Sequence, residues 1–172
     1  IGDADFSGAE FFGIDSTATG DTADSVFTFN TGADFDDAII AIRLDSAAGA
    51  TNTFTGDSVR GANAGADAIN LNADGTGSDI TLTLTNSTDF TNSGDDGLDF
   101  TVTDGANIDI NLAGTMGTPI NFDDLDGSET GFGVIGNVTD STASLTLNNA
   151  SFDHTALGGL QVNATDSEFN AN

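Results

Sequence analysis

Carboxylates are the reactive groups that this chain holds in quantity. It has 28 acidic residues, of which only Glu10, Glu129 and Glu168 are Glu, against Arg43 and Arg60 and no Lys. Adjacent pairs stand at Asp36–Asp37, Asp95–Asp96 and Asp123–Asp124, and His154, the single histidine, follows Asp153. Paired carboxylates suit two kinds of chemistry. Set about 5–10 Å apart across a cleft, they act as acid and base on a glycosidic bond. Gathered with Asn and backbone carbonyls, they hold a hard cation, which takes six to eight oxygens.

The catalytic reading lacks its usual companions. In a chain this rich in Asp, adjacent pairs arise from composition alone. A sugar cleft usually carries aromatic platforms, and an acidic polymer needs basic residues; this chain has no Trp, Tyr or Lys. An eliminating base would have to be Arg43, in a predicted strand, or Arg60, near a turn, and neither has an evident partner in the sequence. His154 reads as a solvated turn residue. With one His and no Cys, no nucleophile–His arrangement can be framed. The expectation is a protein that is not an enzyme.

Calcium is the stronger chemical hypothesis. The candidate loops are Gly-Ala-Asp-Phe-Asp-Asp at 32–37, Gly-Asp-Asp-Gly-Leu-Asp at 94–99 and Asp-Asp-Leu-Asp-Gly-Ser-Glu at 123–129. The candidate ligands are Asp36, Asp37, Asp95, Asp96, Asp99, Asp123, Asp124 and Asp126. The loop at 123–129 is no EF-hand, because Phe122 falls on the first ligand position and Gly133 on the last. The loop at 94–99 is like one unit of a nonapeptide β-roll, but the nine-residue repeat does not continue. Diffuse screening of a solvated acidic surface is the competing account.

A formal net charge of -26 also limits the partners. Nucleic acid and anionic lipid both require clustered Lys and Arg. No stretch approaches the ~20 apolar residues of a membrane span. Divalent cations are the natural counter-species. Four Asn-x-Ser/Thr sequons, at Asn86, Asn137, Asn149 and Asn163, are about what 16 Asn in such a Ser/Thr-rich chain produce by composition. Thr81, Thr83 and Thr85 alternate within one strand, whereas an ice-binding face needs Thr repeated from coil to coil.

The elements that position these groups are strands. Gly, Asn, Thr and Asp, all poor helix formers, are spread throughout. Low hydrophobicity with high net charge would by itself point to disorder, but a clear period of two opposes it. Ile80, Leu82 and Leu84 alternate with Thr; Leu98, Phe100 and Val102 do likewise, as do Ile108, Ile110 and Leu112, Leu145 and Leu147, and Leu160 and Val162. These runs are half-buried strands ending in turn residues.

A longer period lies above the first. Phe6, Phe35, Phe90, Phe122 and Phe152 each follow Asp, Asn or Ser, and Val59 fills the gap, giving steps of 29, 24, 31, 32 and 30 residues. Each anchor leads to a loop, an apolar strand, a turn and a second strand. Propeller blades need about 40 residues and four strands. A period near thirty with two strands and a short third fits a solenoid of five to six coils, each strand pairing in parallel with its equivalent one coil away. Phe6, Phe35, Val59, Phe90, Phe122 and Phe152 then form an internal column. The expected fold is all-β, a single domain over residues 1–172. The start at Ile1 suggests a processed product or a piece of a longer chain.

The segments NSTDFTNSGDDGLDFTVTDGANIDINLAGT and NNASFDHTALGGLQVNATDSEFN resemble the right-handed parallel β-helix repeats of large acidic bacterial surface proteins. The resemblance is good over residues 67–172 and looser over 1–65. It implies a right-handed parallel β-helix, an extracellular or cell-surface place, and a structural or adhesive role without catalysis. Parallel β-helices also include enzymes that cut acidic polysaccharides, so a glycan-binding or glycan-degrading protein is the alternative. Open strand edges at the ends of a solenoid invite stacking with neighbouring subunits or repeat blocks.

Overall fold

A computed structural model describes residues 4–122, 131–153 and 155–172. Six successive coils contribute three strands each. The first coil holds β1 (Ala4–Asp5), β2 (Phe12–Thr19) and β3 (Asp24–Phe29); the second holds β4 (Ala33–Asp34), β5 (Ile40–Ala47) and β6 (Thr51–Asp57). The third has β7 (Val59–Arg60), β8 (Ile69–Asp74) and β9 (Asp79–Thr85); the fourth has β10 (Thr88–Asp89), β11 (Leu98–Thr103) and β12 (Asn107–Ala113). The fifth has β13 (Ile120–Asn121), β14 (Phe132–Thr139) and β15 (Thr142–Asn148); the sixth has β16 (Ala150–Ser151), β17 (Gly158–Thr165) and β18 (Glu168–Ala171). No helix occurs among the described residues.

Equivalent strands pair in parallel, and three six-stranded sheets run the length of the molecule. The fold is a parallel β-solenoid of six coils. The period of two explains which side chains turn inward. In β9 the residues Ile80, Leu82 and Leu84 are fully buried while the intervening Thr face outward. Register carries that pattern up the axis: Ile80 lies opposite Ile108, Leu82 opposite Ile110 and Leu84 opposite Leu112. Each coil alone would bury little, and the core forms because each inward residue meets its counterpart one coil away.

The corners explain the demand for Asp and Asn. Asp37, Asn63 and Asn92 adopt φ of 62°, 58° and 61° at one corner, and Ser58, Asn86 and Asn149 adopt 56°, 61° and 60° at another. Asn and Asp tolerate this left-handed conformation better than other residues with a Cβ. Their side chains also join into ladders: the Asn92 amide donates to Asn63 Oδ1 at 2.7 Å, and the Asn63 amide to Asp37 Oδ1 at 3.1 Å.

The phenylalanine column is built differently from the sequence expectation at one coil. Phe35, Phe90 and Phe122 are fully buried and Phe152 partly so. Phe90 and Phe122 stack at 5.6 Å, Phe122 and Phe152 at 5.8 Å, and Phe6 and Phe35 at 5.2 Å. Phe6, on the end coil, remains 37% exposed. Val59 is buried but does not belong to the column. It pairs with Ala33, so the column position in the third coil falls to Gly61. A Cβ on Gly61 would stand 2.8 Å from Phe90 Cδ1 and 2.7 Å from Ala41 Cβ. The ring of the fourth coil therefore uses the space that a third-coil side chain would need, and the column is interrupted there.

The interior also holds a polar network among the first three coils, centred on an amide. Asn52 is fully buried; its amide donates to Asp45 O at 2.6 Å and Ser46 Oγ at 3.1 Å, and its oxygen accepts from Ser16 Oγ at 2.7 Å.

Candidate metal centre

The predicted carboxylates separate into three groups. Asp36, at the corner after β4, is almost buried. Its Oδ1 accepts the Ala62 N–H at 2.7 Å and its Oδ2 faces Arg60 Nη2 at 2.9 Å. Burial raises this carboxyl above its ordinary range even so. The guanidinium already supplies the counter-charge that a cation would bring. Asp37 points the other way, exposed and bonded to the Asn63 amide. Adjacent in sequence, the two do not form a joint site. Asp123, Asp124 and Asp126 lie outside the described residues.

Asp95, Asp96 and Asp99 converge, and a fourth carboxylate joins them. Asp67 stands just ahead of β8, one coil before Asp96, and the Asp96 N–H donates to Asp67 Oδ1 at 3.3 Å. Asp96 in turn accepts the Phe132 N–H at 2.7 Å from the fifth coil. The loop between β10 and β11 brings Asp95 alongside. Carboxylate oxygens of Asp67, Asp95 and Asp96 lie within 4.8 Å of one another. Asp99 faces outward from β11, and the Asn70 amide bridges Asp67 Oδ2 at 3.1 Å and Asp99 Oδ2 at 3.4 Å.

Asp67 was not evident as a ligand from its own surroundings, because it has no acidic neighbour in sequence. The signal was the coil period: Asp67 and Asp96 are 29 residues apart. Applied to the acidic residues as well as to the phenylalanines, the same period brings them together.

Electrostatics at the cluster are costly. Burial lifts the Asp96 carboxyl to about 6, with Asp95 and Asp67 adding repulsion against the hydrogen bond from Phe132. Burial likewise lifts Asp99 to about 6, reinforced by Asp67, Asp96 and Asp95. Asp67 is raised too, chiefly by burial. Asp96 is buried, Asp67 half-buried and Asp95 exposed, and like charges gathered in this way favour protons or a cation.

One carboxylate oxygen from each of Asp67, Asp95 and Asp96 lies within 4.8 Å of the others, close enough for all three to share one hard cation. Calcium accepts irregular sets of oxygen ligands, whereas magnesium demands near-octahedral geometry and gives up its waters reluctantly. Asp67, Asp95 and Asp96 would be the direct ligands of calcium, with Asp99 adding negative charge beside it.

Two surface depressions lie away from this cluster. One is bordered by Asp5, Asp34, Ser58 and Arg60, the other by Asp140, Asp166, Ser167 and Glu168. Neither contains an aromatic side chain, and Arg60 in the first is engaged by Asp36. Compared with protein-family models, curated proteins and solved structures, the chain matches none.

Proposed function

We propose that this chain is a non-catalytic structural or adhesive β-solenoid of an extracellular bacterial surface or filament protein, and that its coils stack end to end. The observation behind this reading is the pair of open ends. Among the described residues each of the three sheets ends in an edge strand, β1, β2 and β3 at one end and β16, β17 and β18 at the other, which a further repeat block or a neighbouring subunit can extend. Unpaired edges are templates for further strands. Apolar side chains accompany them, with Phe6 37% and Leu160 42% exposed. The acidic flanks oppose sideways association, which leaves the axis as the favoured direction. Negative-stain microscopy and sedimentation of the full chain test this: rods that lengthen with concentration are expected, and compact monomers at every concentration overturn it.

Calcium at Asp67, Asp95 and Asp96 is part of the same proposal. A bound cation would tie the third and fourth coils together and relieve the repulsion within the cluster. Isothermal titration with calcium, then magnesium, should show a saturable site selective for calcium. Heat equal to simple ionic-strength dilution would leave screening as the whole effect.

One observation favours a second reading. Carboxyl groups that hold their protons up to about pH 6 are suited to acid catalysis on a glycan. Degradation of acidic and neutral polysaccharides, abolished by Asp96→Asn, would establish that reading; binding and turnover absent across a glycan panel would remove it.

A further inference from the structure

Read along the chain, Thr81, Thr83 and Thr85 alternate within one strand; parallel pairing corrects that picture, because it repeats the alternation from coil to coil. In the sheet of β3, β6, β9, β12, β15 and β18 every second residue turns outward. The register sets Val26, Thr53 and Thr81 in one row across three coils, and Thr28, Thr55 and Thr83 in the next. All six side chains are β-branched and none is charged.

The rest of the surface is different. The corresponding row on the neighbouring sheet reads Asp15, Arg43, Asn70 and Asp99. Acidic groups mark the limits of the Thr array itself, at Asp24 and Asp79 on one side, Asp57 on the other and Asp109 in the fourth coil. Between the two rows Phe54 and Leu82 turn inward and are fully buried, which anchors the strands that carry the array. Ser144 Oγ, beyond the array, is bonded to Asp109. Among the described residues the hydroxyls of Thr53, Thr55, Thr81 and Thr83 have no hydrogen-bond partner, so they can bond outward.

Neighbouring strands lie about 4.8 Å apart, and alternate residues of one strand about 6.6 Å apart. β-Branched side chains are stiff at χ1, so methyls and hydroxyls are held on a two-dimensional lattice with those repeats. A small dissolved ligand would touch one or two of these groups; only an extended regular surface meets them all. A mineral of cations and anions would select the Asp-rich flanks instead. Ice presents oxygens at comparable repeats on its crystal faces and carries no charge. Methyl groups order the water beside them and hydroxyls bond to it, and Thr supplies both.

We propose that this face binds the surface of ice, with ordered water as its ligand. Binding needs neither end-to-end assembly nor calcium. Coils added before or after these three stack along the axis and leave the face open.

The test grows ice slowly in a solution of the full chain and measures both the share of protein taken into the ice and the inhibition of recrystallisation. The unmodified chain should enter the ice and keep its crystals small, whereas solutes that do not bind are pushed ahead of the front. Thr53→Lys and Thr83→Lys should each lose most of both effects, because a long charged side chain holds the face off the lattice. The milder double variant Thr53→Ser with Thr83→Ser removes only two outward methyl groups and should lower both effects several-fold. Thr101→Lys, equally half-buried on the neighbouring sheet between Asn72 and Asn137, should behave as the unmodified chain. Circular dichroism checks the fold of each variant. Exclusion of the unmodified chain from ice would overturn the proposal, as would full activity in the folded lysine variants or in the double Ser variant, or an equal loss in Thr101→Lys. Binding to powdered cellulose or chitin without any effect on ice would overturn it too and give the face to a crystalline glycan.

Discussion

Phe100 of β11 lies directly opposite Gly136 of β14, and its ring fills the volume that a side chain on Gly136 would occupy. The ladder that contains them runs through Leu44, Leu71, Phe100 and Gly136, all but the last large. One oversized residue is thus matched by an absent one in the next coil. A solenoid core conserves volume between neighbouring coils rather than within each coil, because its contacts are between stacked equivalents.

Gly136→Ala should therefore destabilise the fold by about 1–3 kcal/mol, the usual cost of overpacking. Phe100→Leu alone should also lose stability, through the cavity it leaves. Together the two should cost less than their sum, because the smaller side chain vacates the space that the new methyl enters. Chemical denaturation of the four proteins in this cycle measures the coupling, and strict additivity would show that ring and glycine do not compete for space.

Much of the fold was legible because it follows from periods. Alternation in DITLTLT and GLDFTVT specified strands, and recurring phenylalanines specified coils. The departure came at Val59. An apolar residue near the expected spacing looked like a substitute for Phe, yet the true equivalent is Gly61, whose role depends on a ring one coil away and so leaves no apolar mark in its own segment. The carboxylate cluster was half legible for a related reason. Asp95, Asp96 and Asp99 are close in sequence, whereas Asp67 is near only after the chain has gone once round. Asp36–Asp37 misled in the opposite sense: adjacent residues on a strongly bent corner point apart, and Arg60 from the next coil claims one of them.

Acidification should stabilise this protein over a defined window. The carboxyls of Asp96 and Asp99 hold their protons up to about 6 when folded, against 3.8 for an ordinary Asp. Between those values the folded chain binds more protons than the unfolded chain, so stability falls as pH rises. The benefit is fully present below about pH 4 and is lost as pH passes through 6. Allowing for solvent screening of these groups, the gain from pH 7 to pH 5 should be on the order of 1 kcal/mol, or roughly 2–4 °C in Tm for a chain of this size. Thermal melts at fixed ionic strength without divalent ions give the slope. Asp96→Asn should flatten it, and an unchanged slope in that variant would place its origin elsewhere.

Calcium and protons should compete for the same oxygens. At pH 7 calcium should raise Tm by several degrees, and the increment should shrink toward pH 5 as Asp96 and Asp99 take up protons. Asp67→Asn should remove most of the calcium increment while raising the metal-free Tm, because it lessens repulsion within the cluster. Chelator added to the unmodified chain should return it to the metal-free value. Equal increments in Asp67→Asn and the unmodified chain would rule out this cluster as the site.

The buried amide of Asn52 should matter more than its surroundings suggest. It sits in a ladder between Ser25 and Ile80, so isoleucine would continue the apolar column on one side. Asn52→Ile nevertheless removes the acceptor for Ser16 Oγ and the donor to Asp45 O and Ser46 Oγ at once. Leaving such groups unpaired in a dry interior costs about 1–3 kcal/mol. Adding Ser16→Ala should restore part of the loss by eliminating the stranded hydroxyl, since removing both partners is cheaper than removing one. Hydrogen exchange locates the effect: protection should fall first in β2, β5 and β6, where the network is anchored, while β11 and β12 keep theirs. Loss spread evenly over all six coils would show instead that the network supports the whole solenoid rather than its first coils.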